Sequence, residues 1–287
     1  MKSRPRSSPA SRKLQASKAK KDRLGYTIMA LSLGVVIFLA AIGILTRPTK
    51  ADPLTGCPLD RKPPQSHTIL LVDETDKLSR AELAYAKALI LNEYYWLPIG
   101  GRLTVRTIVS DRDSAEDIAV CRMDDGSKSL GIYDNAKMIR KTFDKTAGAR
   151  LEKLYEALKN APIQANSPIM EYVAEAMDRA NFGSNVKARR LVILSDMAQH
   201  SDLHSQYGRS ARGKPSKQAM EELERDMTGV HVRIQYVPRR SLSAMQGKAH
   251  RAFWTSYFEK MKAERAAVGH GLLIGEDSAR ETFSDGS

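Results

Sequence analysis

The stretch that decides the fold is residues 67–80, HTILLVDETDKLSR. Four consecutive apolar residues, Ile69 to Val72, run directly into a turn of acidic and hydroxyl side chains. An uninterrupted apolar run of this kind is typical of a strand buried on both faces of a parallel sheet. Ser79 and Glu82 then form an S-x-x-E capping box, which marks the start of a helix. The segment therefore predicts a strand, a polar loop and a helix in direct succession.

The same pattern recurs at residues 189–197, RRLVILSDM, where an apolar strand ends in Ser195 and Asp196. Further strands are predicted at residues 103–109, 118–121 and 230–237, and a short edge strand at 271–275. Helices are predicted at residues 79–95, 134–160 (broken near 146–148), 216–227 and 248–262, and another helix is predicted to start at Ser167 and Pro168. The strands at 103–109 and 118–121 form a predicted antiparallel hairpin. This order predicts an α/β, Rossmann-like three-layer domain whose sheet is mostly parallel with one antiparallel edge strand.

Residues 24–46 contain no charged side chain and are long enough to cross a bilayer as one helix. Residues 1–23 hold nine Lys or Arg and one Asp. This excess predicts a cytoplasmic amino terminus, with the following domain in the periplasm or outside the cell. The alternative is a cleaved signal peptide, but such peptides have apolar cores of roughly 7 to 15 residues. We therefore expect a single-pass membrane protein with an uncleaved anchor.

Charge and composition divide the rest of the chain. Residues 1–23 contribute +8 of the net charge of +13, so the remainder does not predict a nucleic-acid-binding face. The basic segment is predicted to be disordered and to contact anionic lipid. Residues 47–66, rich in Pro, are predicted to form an extended linker, residues 67–275 the folded domain, and residues 276–287 a disordered tail.

Cys57 and Cys121 are the only cysteines. In an oxidising compartment such a pair can form a disulfide bond. Two free thiols remain the alternative, because the sequence does not give the distance between them.

Three loops are expected on one rim of the sheet: residues 73–77, 166–167 and 195–196. The carboxyl ends of parallel strands are where open α/β sheets place their ligand sites. Carboxylates and hydroxyls meeting there suit a hard cation such as Mg²⁺, Mn²⁺ or Ca²⁺.

At these residues the chain resembles the von Willebrand factor type A domain. That family has an Asp-x-Ser-x-Ser loop after its first strand, a Thr or Ser before a mid-domain helix, and an Asp after its fourth strand. The resemblance implies that Asp73, Thr75, Ser167 and Asp196 hold Mg²⁺ or Mn²⁺, and that a protein partner binds through this ion. One position departs from the family, because Lys77 stands where the loop's second Ser is expected. A degenerate rim without metal, acting as a scaffold or interaction domain, is the alternative.

The sequence also contains parts of two other kinds of site. Asp73 as nucleophile and Ser195 as phosphate ligand would resemble a haloacid-dehalogenase-like phosphatase, with Lys214 or Lys217 assisting. The acidic pair that such enzymes need downstream is missing, since Asp124 and Asp125 lie upstream. His200, Asp202 and His204 could bind Zn²⁺, but no third ligand follows at a recognisable spacing, and surface histidines are favoured. We therefore expect a binding domain rather than an enzyme.

Overall fold

The computed structural model describes residues 9–45, 51–59, 62–115, 117–124, 136–160, 163–208 and 215–270. The chain divides into two compact units, Met1–Thr49 and Lys50–Ser287.

The first unit contains one long helix, α1, at Pro9–Leu45. Its segment Gly25–Ile42 has a mean hydropathy of 2.2 and no buried side chains, and it is the one helix in the described ranges long and apolar enough to cross a membrane. The predicted disorder of residues 1–23 is wrong for residues 9–23, which are helical. Ala, Lys, Arg, Leu and Gln are strong helix formers, and here they extend a helix that the apolar segment already nucleates.

The second unit is built on a six-stranded sheet in the order β3-β2-β1-β4-β5-β6. Its strands are β1 Ser66–Asp73, β2 Arg102–Ile108, β3 Asp117–Cys121, β4 Ala188–Ser195, β5 Val230–Tyr236 and β6 Arg265–His270. All neighbouring strands run parallel except β2 and β3, which form the predicted antiparallel hairpin. The central strand β1 is buried along its whole length, as its apolar run predicts. The predicted edge strand at 271–275 lies outside the described residues, and β6 precedes it.

Helices cover both faces of this sheet. They are α2 Arg80–Trp96, α3 Ala136–Phe143, α4 Ala149–Lys159, α5 Ile169–Met177, α6 Lys217–Leu223 and α7 Lys248–Lys260. One core contains residues of α2, α3 and α4 against β1, β2, β3 and β4, and the other contains residues of α5, α6 and α7 against β1, β2, β4 and β5. Alternate residues of β1 serve the two cores, because side chains alternate between the faces of a strand.

Two helix boundaries bear on the sequence predictions. The predicted break near residues 146–148 is confirmed as a π-helical turn, Asp144–Gly148, between α3 and α4. The helix start predicted at Ser167 and Pro168 is one residue early, because Pro168 is the N-cap of α5 and makes no side-chain capping bond. The Met170 amide in the first turn of α5 donates to Oε1 of Gln199 at 2.9 Å. The Ser167 hydroxyl donates to Asp73, 94 residues earlier in the chain.

The predicted linker is only partly extended, because residues 51–59 dock on the domain. Ala51 pairs with Pro58 across a turn, and the Cys121 amide donates to the Thr55 carbonyl at 2.9 Å. Cys57 and Cys121 form a disulfide bond. Gly56 has φ +69°, and a Cβ there would lie 2.5 Å from the sulfur of Met123. Another residue at this turn would therefore be strained in its backbone and would displace the Met123 side chain. The folded unit therefore begins before residue 67.

Candidate functional site at the strand ends

The site is built around Asp73, the last residue of β1, whose side chain is buried. Its Oδ1 accepts hydrogen bonds from the amide of Thr75 at 3.0 Å and from the hydroxyl of Thr75 at 2.6 Å. This Asx-type turn folds the loop after β1 back onto the strand end. The Asp-x-Thr spacing read from the sequence therefore corresponds to direct contact between the two side chains.

The other oxygen of Asp73 joins two distant segments. Its Oδ2 accepts from the Ser167 hydroxyl at 3.1 Å and from the Ser195 hydroxyl at 2.6 Å. Ser167 is held in place by a reciprocal pair of backbone bonds with His200, each 2.9 Å long. Ser195 ends β4, which pairs with β1 in parallel, so the two strand ends meet. Sequence reasoning placed Ser167 here but did not include Ser195 among the metal ligands, although its position directly before Asp196 was a usable signal.

Asp196 lies beside this cluster and is also buried. Its Oδ1 accepts from the Ala198 amide at 2.9 Å. Burial, reinforced by the charge of Asp73, raises the pKa of Asp196 to about 7. A carboxylate that is costly to ionise in its own protein is a group that a cation would stabilise.

The backbone beyond Asp196 is held in an unusual conformation. Met197 has φ +62°, in the left-handed region that residues other than glycine seldom adopt. The Ser195 hydroxyl accepts from the Met197 amide at 2.7 Å, and the Trp254 indole donates to the Met197 carbonyl at 2.9 Å. These bonds stabilise the turn that directs Asp196 to the rim.

Arg239 is a charged residue of the rim that sequence reasoning missed. It follows β5, and its Nη1 donates to Oε1 of Glu82 at 2.8 Å. Its Nε lies 3.8 Å from Oδ2 of Asp196 and 4.0 Å from Oδ2 of Asp76. The available signal was its place just after a parallel strand, because all such strands end at the same edge. Lys77, by contrast, is exposed.

The residues of the two alternative sites are the lysines of a phosphatase-like site and the histidines of a Zn²⁺ site. Lys217 pairs with Glu221 at 3.4 Å and its side chain is 92% exposed, while Lys214 lies outside the described residues. His200 and His204 lie in a loop, as predicted. The expectation of two surface histidines is wrong for His204, which is buried and stacks on Phe253, with ring centroids 5.9 Å apart. Burial lowers the pKa of His204.

The donor set at the rim fits a hard divalent cation. Within the described ranges, no group of three or more His, Cys, Asp or Glu side chains is placed to hold a metal. An ion here would therefore use hydroxyls as well as carboxylates, with Asp73 and Asp196 supplying charge and Thr75, Ser167 and Ser195 supplying neutral oxygens. Oxygen ligands of this mixture are those that Mg²⁺ and Ca²⁺ accept.

The mostly parallel sheet, its antiparallel edge and the loops that converge at one rim agree with the family resemblance. The domain is von Willebrand factor type A-like.

Comparison with solved structures finds other domains of this type. Similar structures include an aerotolerance-related membrane protein from Bacteroides fragilis (11% identity, TM-score 0.38, covering 72% of this chain and 93% of that one). Also similar is a von Willebrand factor type A protein from Catenulispora acidiphila (10% identity, TM-score 0.40, covering 75% of this chain and 40% of that one). The VWA domain of SpRpn10 is similar too (13% identity, TM-score 0.39, covering 72% of this chain and 88% of that one). No family model and no curated protein matches the chain. At these identities and TM-scores, the matches carry no information about what the von Willebrand A-like domain binds.

Proposed function

We propose that this chain is a single-pass membrane protein whose von Willebrand A-like domain lies outside the cytoplasm and binds a protein partner through its strand-end rim. A divalent cation, Mg²⁺ or Mn²⁺, would be held there by Asp73, Thr75, Ser167 and Asp196, with Ser195 as an additional oxygen donor. A carboxylate of the partner would complete the coordination of the ion.

Three features support this location. The α1 helix contains an apolar segment of membrane-spanning length, and the basic residues before it favour a cytoplasmic amino terminus. The Cys57–Cys121 disulfide is typical of an oxidising compartment. Cys57 follows α1 and Cys121 ends β3. Both bonded cysteines therefore belong to the part of the chain that we place outside the cytoplasm.

The observation that carries the proposal is the convergence on Asp73. Its carboxylate accepts four hydrogen bonds, two from its own loop and two from segments 94 and 122 residues away. The hydroxyl hydrogens that now point at Asp73 can rotate away, so that the neutral hydroxyl oxygens face a cation beside the carboxylate, because a hydroxyl is both a donor and an acceptor. This arrangement of oxygen donors supports the proposed ion site.

An exposed tyrosine beside the acidic cluster supports a protein partner. Tyr207 is 53% exposed and stacks edge-on to His200, with ring centroids 5.2 Å apart. Partial burial, with the nearby charges of Asp196, Asp76 and Asp73, raises the pKa of Tyr207. Tyrosines of this kind are frequent hot spots of protein interfaces. The rim therefore combines a site for a carboxylate with an aromatic contact.

Calorimetric titration of the full chain in detergent with MgCl₂ or MnCl₂ tests the ion site. We expect saturable binding in the wild type and its loss in Asp73→Asn. The control is Asp226→Asn, because Asp226 accepts from the Thr228 amide at 3.0 Å and hydroxyl at 2.6 Å, the same turn as at Asp73, but on an exposed surface. Absence of binding in the wild type, or equal binding in Asp73→Asn, would contradict the metal site.

A metal-free interaction domain of the same fold is the second candidate. The observation that favours it is the Arg239 guanidinium, whose positive charge already lies 3.8 Å from Asp196. In that case the partner would bind the rim without an ion, and its affinity would not change when EDTA is added.

A further inference from the structure

We propose that Arg239 is a built-in counter-cation of the rim that competes with the divalent ion for Asp196. This inference rests on the proposed metal site and concerns its regulation. The Arg239 side chain would have to turn away from Asp196 when an ion binds, so that metal occupancy and the position of this side chain are coupled.

The first support is the way Arg239 contacts two aspartates. Its Nε is buried and finds no hydrogen-bond acceptor among the described residues. The nearest carboxylate oxygens, of Asp196 and Asp76, lie at 3.8 and 4.0 Å. These separations are too long for hydrogen bonds but short enough for strong electrostatic attraction. The guanidinium therefore attracts the two aspartates without being hydrogen-bonded to them.

The second support is that Arg239 has a separate anchor. Its Nη1 hydrogen-bonds to Oε1 of Glu82 at 2.8 Å, while Oε2 of Glu82 accepts from the Ser79 amide at 2.7 Å as part of the α2 capping box. Glu82 is thus a charged partner that Arg239 keeps after leaving the aspartates. An arginine held by one carboxylate and only attracted by two others can yield to a stronger cation.

The third support is the backbone link between Arg239 and the Asp196 strand end. Gln246 accepts from the Arg239 amide at 2.7 Å and donates to the Asp196 carbonyl at 2.9 Å. One side chain thus connects the loop after β5 to the loop after β4. Because Gln246 holds the two loops together, we expect the exchange with metal to be confined to the Arg239 side chain.

The test is Mg²⁺ and Mn²⁺ titration of the full chain in detergent, comparing two substitutions with opposite expected effects. In Arg239→Gln the competing charge is removed, and we expect at least tenfold tighter metal binding than in the wild type. In Glu82→Gln the ion pair that anchors Arg239 is lost, while the amide oxygen of Gln can still accept from the Ser79 amide. Arg239 should then interact more strongly with the two aspartates, and metal binding should weaken. If Arg239 has only a structural role, metal binding should weaken in both variants, which would contradict the inference.

The matched control is Arg240→Gln, which removes the same charge one residue along, at an exposed position. It should bind metal as the wild type does, and Arg239→Lys, which keeps the charge, should return affinity toward the wild-type value. Circular dichroism and metal-free thermal unfolding verify that each variant is folded. If Arg239→Gln does not fold, the comparison of Glu82→Gln with the wild type tests the inference.

The outcomes separate this inference from the proposed function. Equal affinity of the wild type, Arg239→Gln and Glu82→Gln would overturn the role of Arg239 while leaving the metal site intact. Binding in Arg239→Gln alone would support the inference and show that the natural rim is metal-free. Absence of binding in every variant would overturn both.

Discussion

At the scale of single residues, two Asp-x-Thr turns allow the effect of burial to be isolated. Asp73 with Thr75 and Asp226 with Thr228 have the same hydroxyl to carboxylate distance of 2.6 Å. Thr75 is buried and Thr228 is exposed. The same hydrogen bond should therefore contribute differently to stability, because water can replace the hydroxyl at only one of the two sites.

We predict that Thr75→Ala lowers the free energy of unfolding by about 1–3 kcal/mol, the usual effect of leaving a buried polar group without its partner. Thr228→Ala should have a clearly smaller effect. Urea denaturation of both variants in metal-free buffer measures the difference. Equal losses would mean that the bond at Asp73 is as accessible to water as the one at Asp226.

His67 gives the domain a defined dependence on pH. It is fully buried at the start of β1, between the Asn181 carbonyl at 2.8 Å and the Thr104 hydroxyl at 2.9 Å. Burial lowers the pKa of His67 to about 4. The unfolded chain, with the ordinary histidine value of 6.5, binds a proton more readily, so the contribution of His67 to stability is complete above pH 6.5 and is lost as the pH falls toward 4.

We therefore expect the stability difference between the wild type and His67→Gln to shrink by roughly 2 kcal/mol between pH 7.5 and pH 4.5. Chemical denaturation at the two pH values measures it. Comparison with the variant cancels the titration of all other groups, including Asp196. A difference independent of pH would show that His67 titrates normally in the folded domain.

At the scale of elements, the disulfide joins residues 51–59 to the edge strand β3. The bond closes a loop with a sequence separation of 64 residues. Loop-closure entropy predicts a stabilisation of about 4 kcal/mol for a loop of this length. The edge strand gains a covalent link to the segment that follows α1.

The double variant Cys57→Ser with Cys121→Ser should consequently lower the Tm of the domain by roughly 10 °C. Limited proteolysis should then cut within residues 51–59, which are protected in the wild type by the bond and by the contact of Cys121 with Thr55. Treatment with reductant should lower the Tm of the wild type and leave the double variant unchanged. An unaltered Tm in the double variant would contradict the proposed stabilisation.

At the scale of the whole molecule, the proposed orientation can be tested with single cysteines at the two ends. We expect Ser284→Cys to react with a membrane-impermeant thiol reagent in intact cells, and Ser7→Cys to react only after permeabilisation, because the basic segment before α1 favours the cytoplasmic side. Labelling is read by gel shift, with the unmodified chain, whose cysteines are bonded, as the control. The reverse pattern would place the domain in the cytoplasm.

Much of the fold could be predicted from local sequence. Apolar runs at residues 69–72 and 191–194 predicted the two central strands, and the alternation after residue 103 predicted the antiparallel edge. These features depend on neighbouring residues alone, because burial on one or both faces of a strand sets its pattern. The placement of Asp73 and Asp196 at one rim followed from the rule that parallel strands end at one edge. Ser167 precedes α5 and follows no strand, so its place in the site came from the family resemblance.

Other features depended on contacts between residues far apart in the chain. The Ser195 hydroxyl, the Arg239 guanidinium and the Cys57–Cys121 bond acquire their roles from partners 122, 157 and 64 residues away. Which side chains meet at such separations depends on strand order and register, and a single sequence specifies these only through the packed core. The sequence by itself thus determined the strands and the polar rim, while the tertiary structure decided which cation of the chain lies among the rim's carboxylates.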